Sequence, residues 1–329
     1  MLYLNEQDIR ETVTMQDMID AIDESYHIYH KKDYTMPTRM QLKDENNTLV
    51  VMPCIGDGAF GTKLITTFPD NIEEPTIHGL FILKCETTGK IQAIIDGSFL
   101  TGMRTGAIGG SAIRHLAKED ASSIAIIGTG VQGFYQAEAA CSERPIKDIY
   151  LYNRTPEKMN SFRESLAPYL ESDVTIHLCD SAAEAIKDAE IIITATTSDQ
   201  PVLPNEATLL QGKLIVGIGS FQPTMREFPQ SAYSLAAHVL VDSDDAIKES
   251  GDLTQPLENQ WLEENSIKTM ADFLATDNSS PKSDETTLFK STGIALFDIV
   301  SANKIFHKAI QKEIGQVLIN SEPDYQKNM

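Results

Sequence analysis

The stretch Ser122-Ser-Ile-Ala-Ile-Ile-Gly-Thr-Gly-Val-Gln-Gly133 decides the fold of this chain. Its apolar run, residues 124–127, is typical of a parallel strand that is buried on both faces. Three glycines follow in the spacing G-x-G-x-x-G: Gly128, Gly130 and Gly133. In that spacing the first glycine permits a tight turn, the second lets a pyrophosphate approach the backbone, and the third lets a helix pack closely on the strand. Because glycine-rich turns are common, the prediction of a dinucleotide site depends on the segments that follow.

Those segments place the motif in a βαβ unit. Residues 131–141 are rich in alanine and favour a helix, whose first residues, Val131 and Gln132, present backbone N–H groups and a partial positive charge to phosphate. Residues 149–152 favour a second strand. Further predicted strands alternate with helical segments, which indicates an α/β fold with a doubly wound parallel sheet of the Rossmann type. These strands are 174–177, 190–194, 214–218 and 239–242.

The end of the second strand bears on the form of the cofactor. An NAD site usually carries Asp or Glu there, which accepts hydrogen bonds from the ribose 2′-hydroxyl. This chain has Asn153, Arg154 and Thr155 instead. Asn153 has no charge to repel a 2′-phosphate, and Arg154 offers a bidentate partner for one, with Thr155 and Lys158 as further contacts. The alternative is a solvated turn that contains an arginine. The pattern favours NADP(H), with NAD(H) as the second choice.

Composition and charge exclude several classes of protein. The chain has 329 residues, enough for two domains, and a net charge of −21, which argues against nucleic acid or an anionic membrane as a partner. Neither a membrane span nor a signal peptide is expected. The seven histidines lack the spacing of a metal site, so no metal is expected. Four widely separated cysteines fit free thiols in a cytoplasmic protein. They are Cys54, Cys85, Cys141 and Cys179.

The segments on either side of the parallel sheet have other patterns. Residues 7–31 are predicted to be helical, with Asn5 or Thr14 as a helix cap. Residues 36–96 contain short β-like runs separated by turns, which predicts an antiparallel sheet. The polar segment 276–287 is predicted to be a surface loop. Further helices are predicted over 98–117, 182–187 and 293–306.

Ligands of an open parallel sheet bind beyond the carboxyl ends of its strands. One predicted strand is followed by Thr196 and Thr197, whose hydroxyl and amide groups can serve a cofactor. The next is followed by Gly219 and Ser220, which are small enough to let a nicotinamide ribose approach. The alternatives are that the threonines only stabilise a β-turn and that the glycine segment is a tight turn without a ligand.

Three basic residues lie in unusually apolar or glycine-rich surroundings. Arg104 lies in Leu-Thr-Gly-Met-Arg-Thr-Gly-Ala, Lys63 lies in Phe-Gly-Thr-Lys-Leu-Ile, and Arg39 follows Met-Pro-Thr. Each taken alone is better explained as a surface charge whose stem covers apolar surface. Together, three such cations can hold a carboxylate.

Motifs along nearly the whole chain resemble those of the ornithine cyclodeaminase/mu-crystallin family. The matching segments are Thr62-Lys63-Leu64, Asp96-Gly97, Leu100-Thr101, Arg104-Thr105-Gly106-Ala107, Gly128-Thr-Gly-Val-Gln132, Thr194-Ala-Thr-Thr-Ser198, Gly217-Ile-Gly-Ser220 with Pro223 and Glu227, and Phe289-Lys-Ser-Thr-Gly293. The resemblance implies that a cofactor domain, residues 119–299, is inserted in an α+β substrate-binding and dimerisation domain formed by residues 1–118 and 300–329. It also implies a homodimer that joins its subunits through their sheets.

The same resemblance implies roles for individual residues. Arg39, Lys63 and Arg104 match positions that hold the substrate carboxylate near the nicotinamide. Lys63 can polarise an imine or supply a proton, and a role as a carboxylate ligand would explain it equally well. The matching segments also add cofactor contacts to those of the glycine turn. These are Thr105, Ser291 and Gly293.

One departure from the family pattern distinguishes between activities. Ornithine cyclodeaminases resemble G-x-D-x-P-G-K-x-E after the strand that ends near Gly217, and this chain places Phe221 at the Asp position. Phe221 cannot bind an amino group or move a proton. The segment is more similar to the branch that reduces cyclic imino acids, such as Δ1-pyrroline-2-carboxylate, or keto acids to amino acids with NAD(P)H. The alternatives are a cyclodeaminase that retains NAD and a non-catalytic NADPH-dependent binding protein of the mu-crystallin type.

Overall fold

The computed structural model describes residues 1–276 and 284–318, which divide into two compact units. The first unit consists of Met1–Thr14, Asp33–Thr101 and the described residues from Ala295 onward. The second consists of Met15–Lys32 and the described residues from Gly102 to Ile294. In the described parts of the chain, no helix combines the length and the apolar character that crossing a bilayer requires.

The elements are numbered in chain order. The strands are β1 Leu2–Leu4, β2 Tyr34–Thr35, β3 Met40–Asp44, β4 Asn47–Gly56, β5 Ala59–Thr67, β6 Ile77–Cys85, β7 Ile91–Asp96, β8 Ser123–Ile127, β9 Asp148–Tyr152, β10 Thr175–Leu178, β11 Ile191–Thr194, β12 Leu214–Gly217, β13 Ala236–Val241, β14 Ile267–Thr269, β15 Thr286–Lys290 and β16 Gln316–Val317. The α-helices are α1 Glu6–Thr12, α2 Met15–Lys31, α3 Gly97–Leu116, α4 Val131–Glu143, α5 Glu157–Leu166, α6 Ala182–Lys187, α7 Ala207–Leu210, α8 Gln230–Leu235, α9 Ala246–Glu249, α10 Gly251–Glu258, α11 Met270–Thr276 and α12 Ala295–Lys312.

The first unit is built on a sheet with the strand order β16-β1-β7-β6-β5-β4-β2, and β3 pairs with the outer part of β4. Strands β4 to β7 are antiparallel, as expected for residues 36–96, and β1 joins β7 in parallel. Alternate residues of these strands point to one face, where Met52 and Phe81 are buried. Helix α12 packs on β4 and β5 through its apolar side and covers this inner face. A segment near the end of the chain thereby lies against strands formed near its start.

The second unit is built on a parallel sheet with the strand order β10-β9-β8-β11-β12-β15-β13-β14. The central strands are buried throughout, which explains their unbroken apolar runs. The order runs outward from β8 in both directions, as in doubly wound sheets, and the predicted α/β fold is therefore confirmed. The register aligns the carboxyl ends of these strands, because Ile127 lies opposite both Tyr152 and Thr194, and Gly217 lies opposite Lys290. The turns that follow these strands consequently share one edge of the sheet.

The segment 7–31, predicted to be helical, forms two helices with a short break between them. Helix α1 begins after Asn5, whose side-chain oxygen accepts from the Asp8 N–H while the Asp8 carboxylate accepts from the Asn5 N–H, both at 3.0 Å. This capping box confirms Asn5 as a cap. The chain becomes extended at Val13, where α1 ends, and α2 starts at Met15. The apolar residues of the two helices have similar spacing, so the sequence pattern does not show where α1 ends and α2 begins.

The predicted surface loop over residues 276–287 is wrong at its carboxyl end. Residues 277–283 lie outside the described residues, but Thr286 and Thr287 are buried and begin β15 in the middle of the parallel sheet. The Thr286 hydroxyl donates to the Leu210 carbonyl (3.3 Å) and accepts from the Gly212 N–H (2.8 Å). These two bonds provide hydrogen-bond partners for the buried Thr286 hydroxyl, so a polar residue is accommodated in a core strand.

Candidate active site

The glycine-rich turn between β8 and α4 has the geometry of a phosphate-binding loop. Gly128 has φ +106°, which side chains disfavour, and a Cβ there would lie 2.6 Å from the Ala195 carbonyl oxygen. A Cβ at Gly133 would lie 2.3 Å from the Gly128 carbonyl oxygen, so only glycine allows α4 to pack this closely. Gly130 differs, because a Cβ there would meet no atom within 4 Å. The turn therefore leaves open space above Gly130, at the amino terminus of a 13-residue helix.

The end of β9 forms the neighbouring wall of this turn. The Asn153 side-chain oxygen accepts from the Thr129 N–H (3.3 Å), and its amide nitrogen donates to the Thr155 carbonyl oxygen (2.9 Å). Asn153 thus links the glycine turn to the segment that carries Arg154, Thr155 and Lys158, all three of which are exposed. Exposed basic side chains at this point are available to an anionic group on a cofactor ribose.

A single buried carboxylate joins the two segments that follow β11 and β12. Glu227 accepts at one oxygen from the Thr196 N–H (2.7 Å) and hydroxyl (2.8 Å). At its other oxygen it accepts from the N–H groups of Gly219 (2.8 Å) and Ser220 (3.2 Å). A Cβ at Gly219 would lie 2.0 Å from the Thr196 carbonyl oxygen, so the two segments touch backbone to backbone. Glu227 therefore fixes the relative position of two adjacent segments at the carboxyl edge of the sheet.

Glu227 belongs to a charged cluster in the core of the second unit. The Lys290 Nζ lies 3.2 Å from Asp252 Oδ2 and 3.8 Å from Glu227 Oε2, and all three side chains are buried. Burial raises the pKa of Glu227; the ammonium of Lys290 opposes that rise and the charge of Asp252 adds to it. Asp252 also accepts from the backbone N–H groups of Glu227 (2.7 Å) and Phe228 (2.9 Å). The carboxylate that holds the Thr196 and Gly219 segments is therefore in contact with the charges of Lys290 and Asp252.

Arg104 lies in the second unit, against the segment that follows β15. Its guanidinium occupies the space that a side chain at Gly293 would need, since a Cβ there would lie 2.5 Å from Nη1. Asp242 holds this segment by accepting from the Ser291 hydroxyl (2.6 Å) and the Gly293 N–H (2.7 Å). Arg104 itself is 5% exposed. A guanidinium this buried requires acceptors for its N–H groups.

Lys63 lies in the first unit, on the inner face of β5. Its Nζ is 2.8 Å from Asp298 Oδ1 and 2.7 Å from Asp298 Oδ2, and the two side chains are 2% and 0% exposed. Asp298 is in the first turn of α12. Burial, together with the charge of Asp298, raises the pKa of the Cys54 thiol to about 12. Lys63 is therefore one half of a buried ion pair beside a neutral thiol.

The remaining predicted site residues have other surroundings. Arg39 is half-buried in the first unit, between β2 and β3. The Thr105 carbonyl accepts from the buried Gln136 side chain (2.7 Å), so its backbone anchors α3 to α4. Thr197 is exposed, whereas Ser220 is buried and donates to the Met225 carbonyl (2.7 Å). The second unit thus brings several of the predicted cofactor residues to one edge of its sheet, among them Gly128, Asn153, Thr196, Gly219, Ser291 and Gly293.

Sequence reasoning missed the buried carboxylates that organise these residues. Asp298, Asp242 and Asp252 drew no attention, and Glu227 was noted only as part of a matching motif. A signal was present in one case, because Asp298 interrupts the apolar run Ala-Leu-Phe-Asp-Ile-Val of an otherwise core-facing helix. An isolated acid within such a run indicates a buried partner.

The residues at the carboxyl edge fit a dinucleotide, because the open space at Gly130 lies where a pyrophosphate approaches the helix amino terminus. Within residues 1–276 and 284–318, no group of three or more His, Cys, Asp or Glu side chains is placed to hold a metal ion.

Comparison with known proteins agrees with this geometry. The model of the ornithine cyclodeaminase/mu-crystallin family matches residues 1–313. The chain belongs to this family. A family relative, the Δ1-pyrroline-2-carboxylate reductase of Bacillus cereus, is 34% identical over 325 residues, which cover 96% of this chain and 99% of the relative. The alanine dehydrogenase of Archaeoglobus fulgidus is 27% identical over 318 residues, which cover 95% of this chain and 97% of that enzyme.

A solved family structure matches over the same length. The Δ1-pyrroline-2-carboxylate reductase of Thermococcus litoralis, in complex with NADH and L-proline, superposes with a TM-score of 0.90 at 28% identity. The match covers 97% of this chain and 100% of that one. In the present chain, Phe221 follows the Gly219–Ser220 segment and is 45% exposed. An aromatic ring therefore lies at the surface where the cyclodeaminase pattern has a carboxylate.

Proposed function

We propose that this protein is an NAD(P)H-dependent reductase that converts a small cyclic imino acid, with Δ1-pyrroline-2-carboxylate as the first candidate, to an amino acid. The observation that carries the proposal is the end-to-end similarity to the Bacillus cereus reductase of that imino acid. A bound nicotinamide supplies a hydride to the C=N carbon. The protein's own residues bind the substrate, orient it and control its protonation.

Arg39, Lys63 and Arg104 are the substrate residues of this proposal. Arg104 is the strongest, because its guanidinium is buried against a glycine that leaves it room, and its planar fork matches a carboxylate. Holding a substrate in register with a hydride donor contributes on the order of 7–11 kcal/mol to catalysis. A carboxylate ligand of fixed orientation serves that purpose.

The cofactor site of the proposal is the carboxyl edge of the second sheet. Gly130 and the α4 amino terminus receive the pyrophosphate, and Arg154, Thr155 and Lys158 are the ligands of a ribose 2′-phosphate, so that NADP(H) is preferred. Their exposure next to the glycine turn supports this role. The Thermococcus litoralis relative is complexed with NADH, and NAD(H) is accordingly the second cofactor to test.

Two other activities and one non-catalytic role are alternatives to imino acid reduction. Reductive amination of a keto acid is favoured by the similarity to an alanine dehydrogenase, at lower identity. Cyclodeamination of ornithine is disfavoured, because Phe221 has no group that binds an amine or moves a proton. A non-catalytic NADPH-dependent binding protein is disfavoured by the intact buried Lys63 and Arg104.

A homodimer is part of the proposal, with the outer face of the first sheet as its interface. Met40, Leu42, Ile55 and Phe60 are each at least 36% exposed, and Ile55 lies directly opposite Phe60 on the adjacent strand. An exposed apolar sheet face of this kind marks a protein contact. In a two-fold symmetric dimer, a second copy of the chain would present the same apolar face to it. Light scattering after size-exclusion chromatography tests the dimer, and a monomer at micromolar concentration would contradict it.

The domain limits 1–118 with 300–329 and 119–299 remain part of the proposal, as does a cytoplasmic location. The four cysteines support that location, because all are free thiols.

One screen tests the function. NADPH and NADH oxidation is followed with Δ1-pyrroline-2-carboxylate, its six-membered homologue, and pyruvate with ammonia, while ornithine with NAD is assayed for ammonia and proline. We expect the highest kcat/KM with a cyclic imino acid and no appreciable product from ornithine. Turnover of ornithine, or of pyruvate with ammonia in preference to every imine, would replace the proposal with the corresponding alternative.

A further inference from the structure

The buried pair of Lys63 and Asp298 has a property that a carboxylate clamp does not need. Both carboxylate oxygens lie within 2.8 Å of the Lys63 ammonium, and both side chains are shielded from water. The pair therefore has no net charge. A substrate carboxylate placed near it gains little, because Asp298 repels the anion at a distance similar to that at which Lys63 attracts it.

The strand residues opposite Lys63 add no charge to the pair. The residues directly opposite Lys63 on the adjacent strands are Met52 of β4 and Phe81 of β6, both buried and apolar. Cys54 of β4 faces Asp298 and is neutral because its pKa is about 12. Helix α12 contributes Asp298 itself. Low polarity makes the electrostatic effect of each charge on a neighbouring group large.

The pair is also poorly explained by stability. Removing two charges from water costs several kcal/mol for each ion, and apolar residues of similar volume stabilise a core as well or better. Breaking such a pair is costly, but forming it gives little advantage over an apolar packing. A role in the reaction accounts for its presence.

We propose, on the basis of the proposed function, that Lys63 is the proton donor to the imine nitrogen and that Asp298 is its positioning residue. The proton passes from Lys63 Nζ to the nitrogen lone pair of the imine. The C=N π electrons move onto nitrogen as the carbon accepts the hydride, and the neutral Lys63 amine regains a proton from water. The carboxylate of Asp298 holds the ammonium in place and favours positive charge on the substrate nitrogen.

This assignment separates the two open roles of Lys63. A carboxylate ligand can be replaced by arginine, which binds carboxylates at least as well. A proton donor cannot, because a guanidinium does not release its proton in the range where proteins are active. The pH profile separates them further, since the negative charge of Asp298 favours the protonated form of its neighbour.

Two variants test the proposal. Lys63→Arg keeps the charge pair with Asp298, and we expect at least a 100-fold lower kcat on Δ1-pyrroline-2-carboxylate, with KM changed less than fivefold. Asp298→Asn keeps the shape and removes the charge, and we expect the alkaline limb of the kcat profile to move to lower pH by one unit or more. Asp57→Asn is the matched control, because Asp57 accepts a hydrogen bond (2.8 Å) from Asn303, which lies on the same helix as Asp298. The kcat profile of this variant should equal that of the unmutated protein. Thermal unfolding and NADPH fluorescence titration establish that each variant is folded and binds cofactor.

The outcomes are distinguishable. Absence of imine reduction by the unmutated protein overturns the proposed function and this proposal with it. Turnover by the unmutated protein, combined with a near-normal kcat in folded Lys63→Arg, overturns the proton-donor role alone. An unshifted profile in folded Asp298→Asn overturns the role of Asp298, and if that variant does not fold, Lys63→Arg still decides whether Lys63 donates the proton.

Discussion

Substitution of Gly130 by alanine separates folding from cofactor binding at the glycine turn. The residue has φ −98° and ψ −172°, a conformation that alanine adopts without strain, and its added methyl group would meet no protein atom within 4 Å. Folding is therefore expected to be unharmed, and the lower entropy of the unfolded chain should stabilise the protein by about 0.4–1 kcal/mol. The methyl group enters the space proposed for the pyrophosphate. Crowding of this kind typically costs about 1–3 kcal/mol, which corresponds to a roughly 5- to 150-fold rise in Kd.

Fluorescence titration with NADPH and NADH measures this loss, and thermal unfolding without cofactor measures stability. Gly133→Ala is the matched control, because its methyl group would lie 2.3 Å from the Gly128 carbonyl oxygen and must displace backbone. We expect that variant to lose stability by about 1–3 kcal/mol or more. Normal NADPH affinity in Gly130→Ala would refute the reasoning that places the pyrophosphate at this turn.

Three further substitutions address the other parts of the site. Arg154→Ala should weaken NADPH binding by about 1.5–3 kcal/mol, the value of a charge-assisted hydrogen bond, and should leave NADH binding nearly unchanged in the same titration. The Glu227 carboxylate has two oxygens that accept from four donors, whereas the side chain of Glu227→Gln has one acceptor oxygen. Urea unfolding should therefore show a loss in the free energy of unfolding of roughly 1–3 kcal/mol for each donor left without an acceptor. Arg104→Lys keeps the charge but not the planar fork, so kcat/KM for the imino acid should fall at least tenfold while the melting temperature changes little. Equal affinity for NADH and NADPH in the unmutated protein, unchanged stability of Glu227→Gln, or near-normal kcat/KM of folded Arg104→Lys would each contradict the corresponding assignment.

The parallel sheet was predictable because its signals are local. The run at 124–127 is buried on both faces, and among the glycines after it Gly133 is required by a contact with Gly128 in the same βα turn. The antiparallel strands of residues 36–96 were predictable for the same reason, since alternation and turn residues lie within each hairpin.

The features that escaped prediction depend on distant parts of the chain. Asp298 is separated from Lys63 by 235 positions, and no local pattern states that an acid on α12 meets a lysine on β5. Thr286 appeared to belong to a polar loop because its partners, the carbonyl of Leu210 and the N–H of Gly212, come from another segment. Glu227 matches a family motif, but its four donors become visible only when the ends of β11 and β12 lie side by side.

Isotope transfer tests the central claim most directly. The protein is incubated with Δ1-pyrroline-2-carboxylate and NADPH or NADH carrying deuterium on either face of the nicotinamide C4, and the product is analysed by mass spectrometry and NMR. An imino acid reductase yields proline with one deuterium at Cα from one of the two labelled cofactors. Cofactor that stays reduced, or proline that lacks the label with both cofactors, would contradict the reductase assignment.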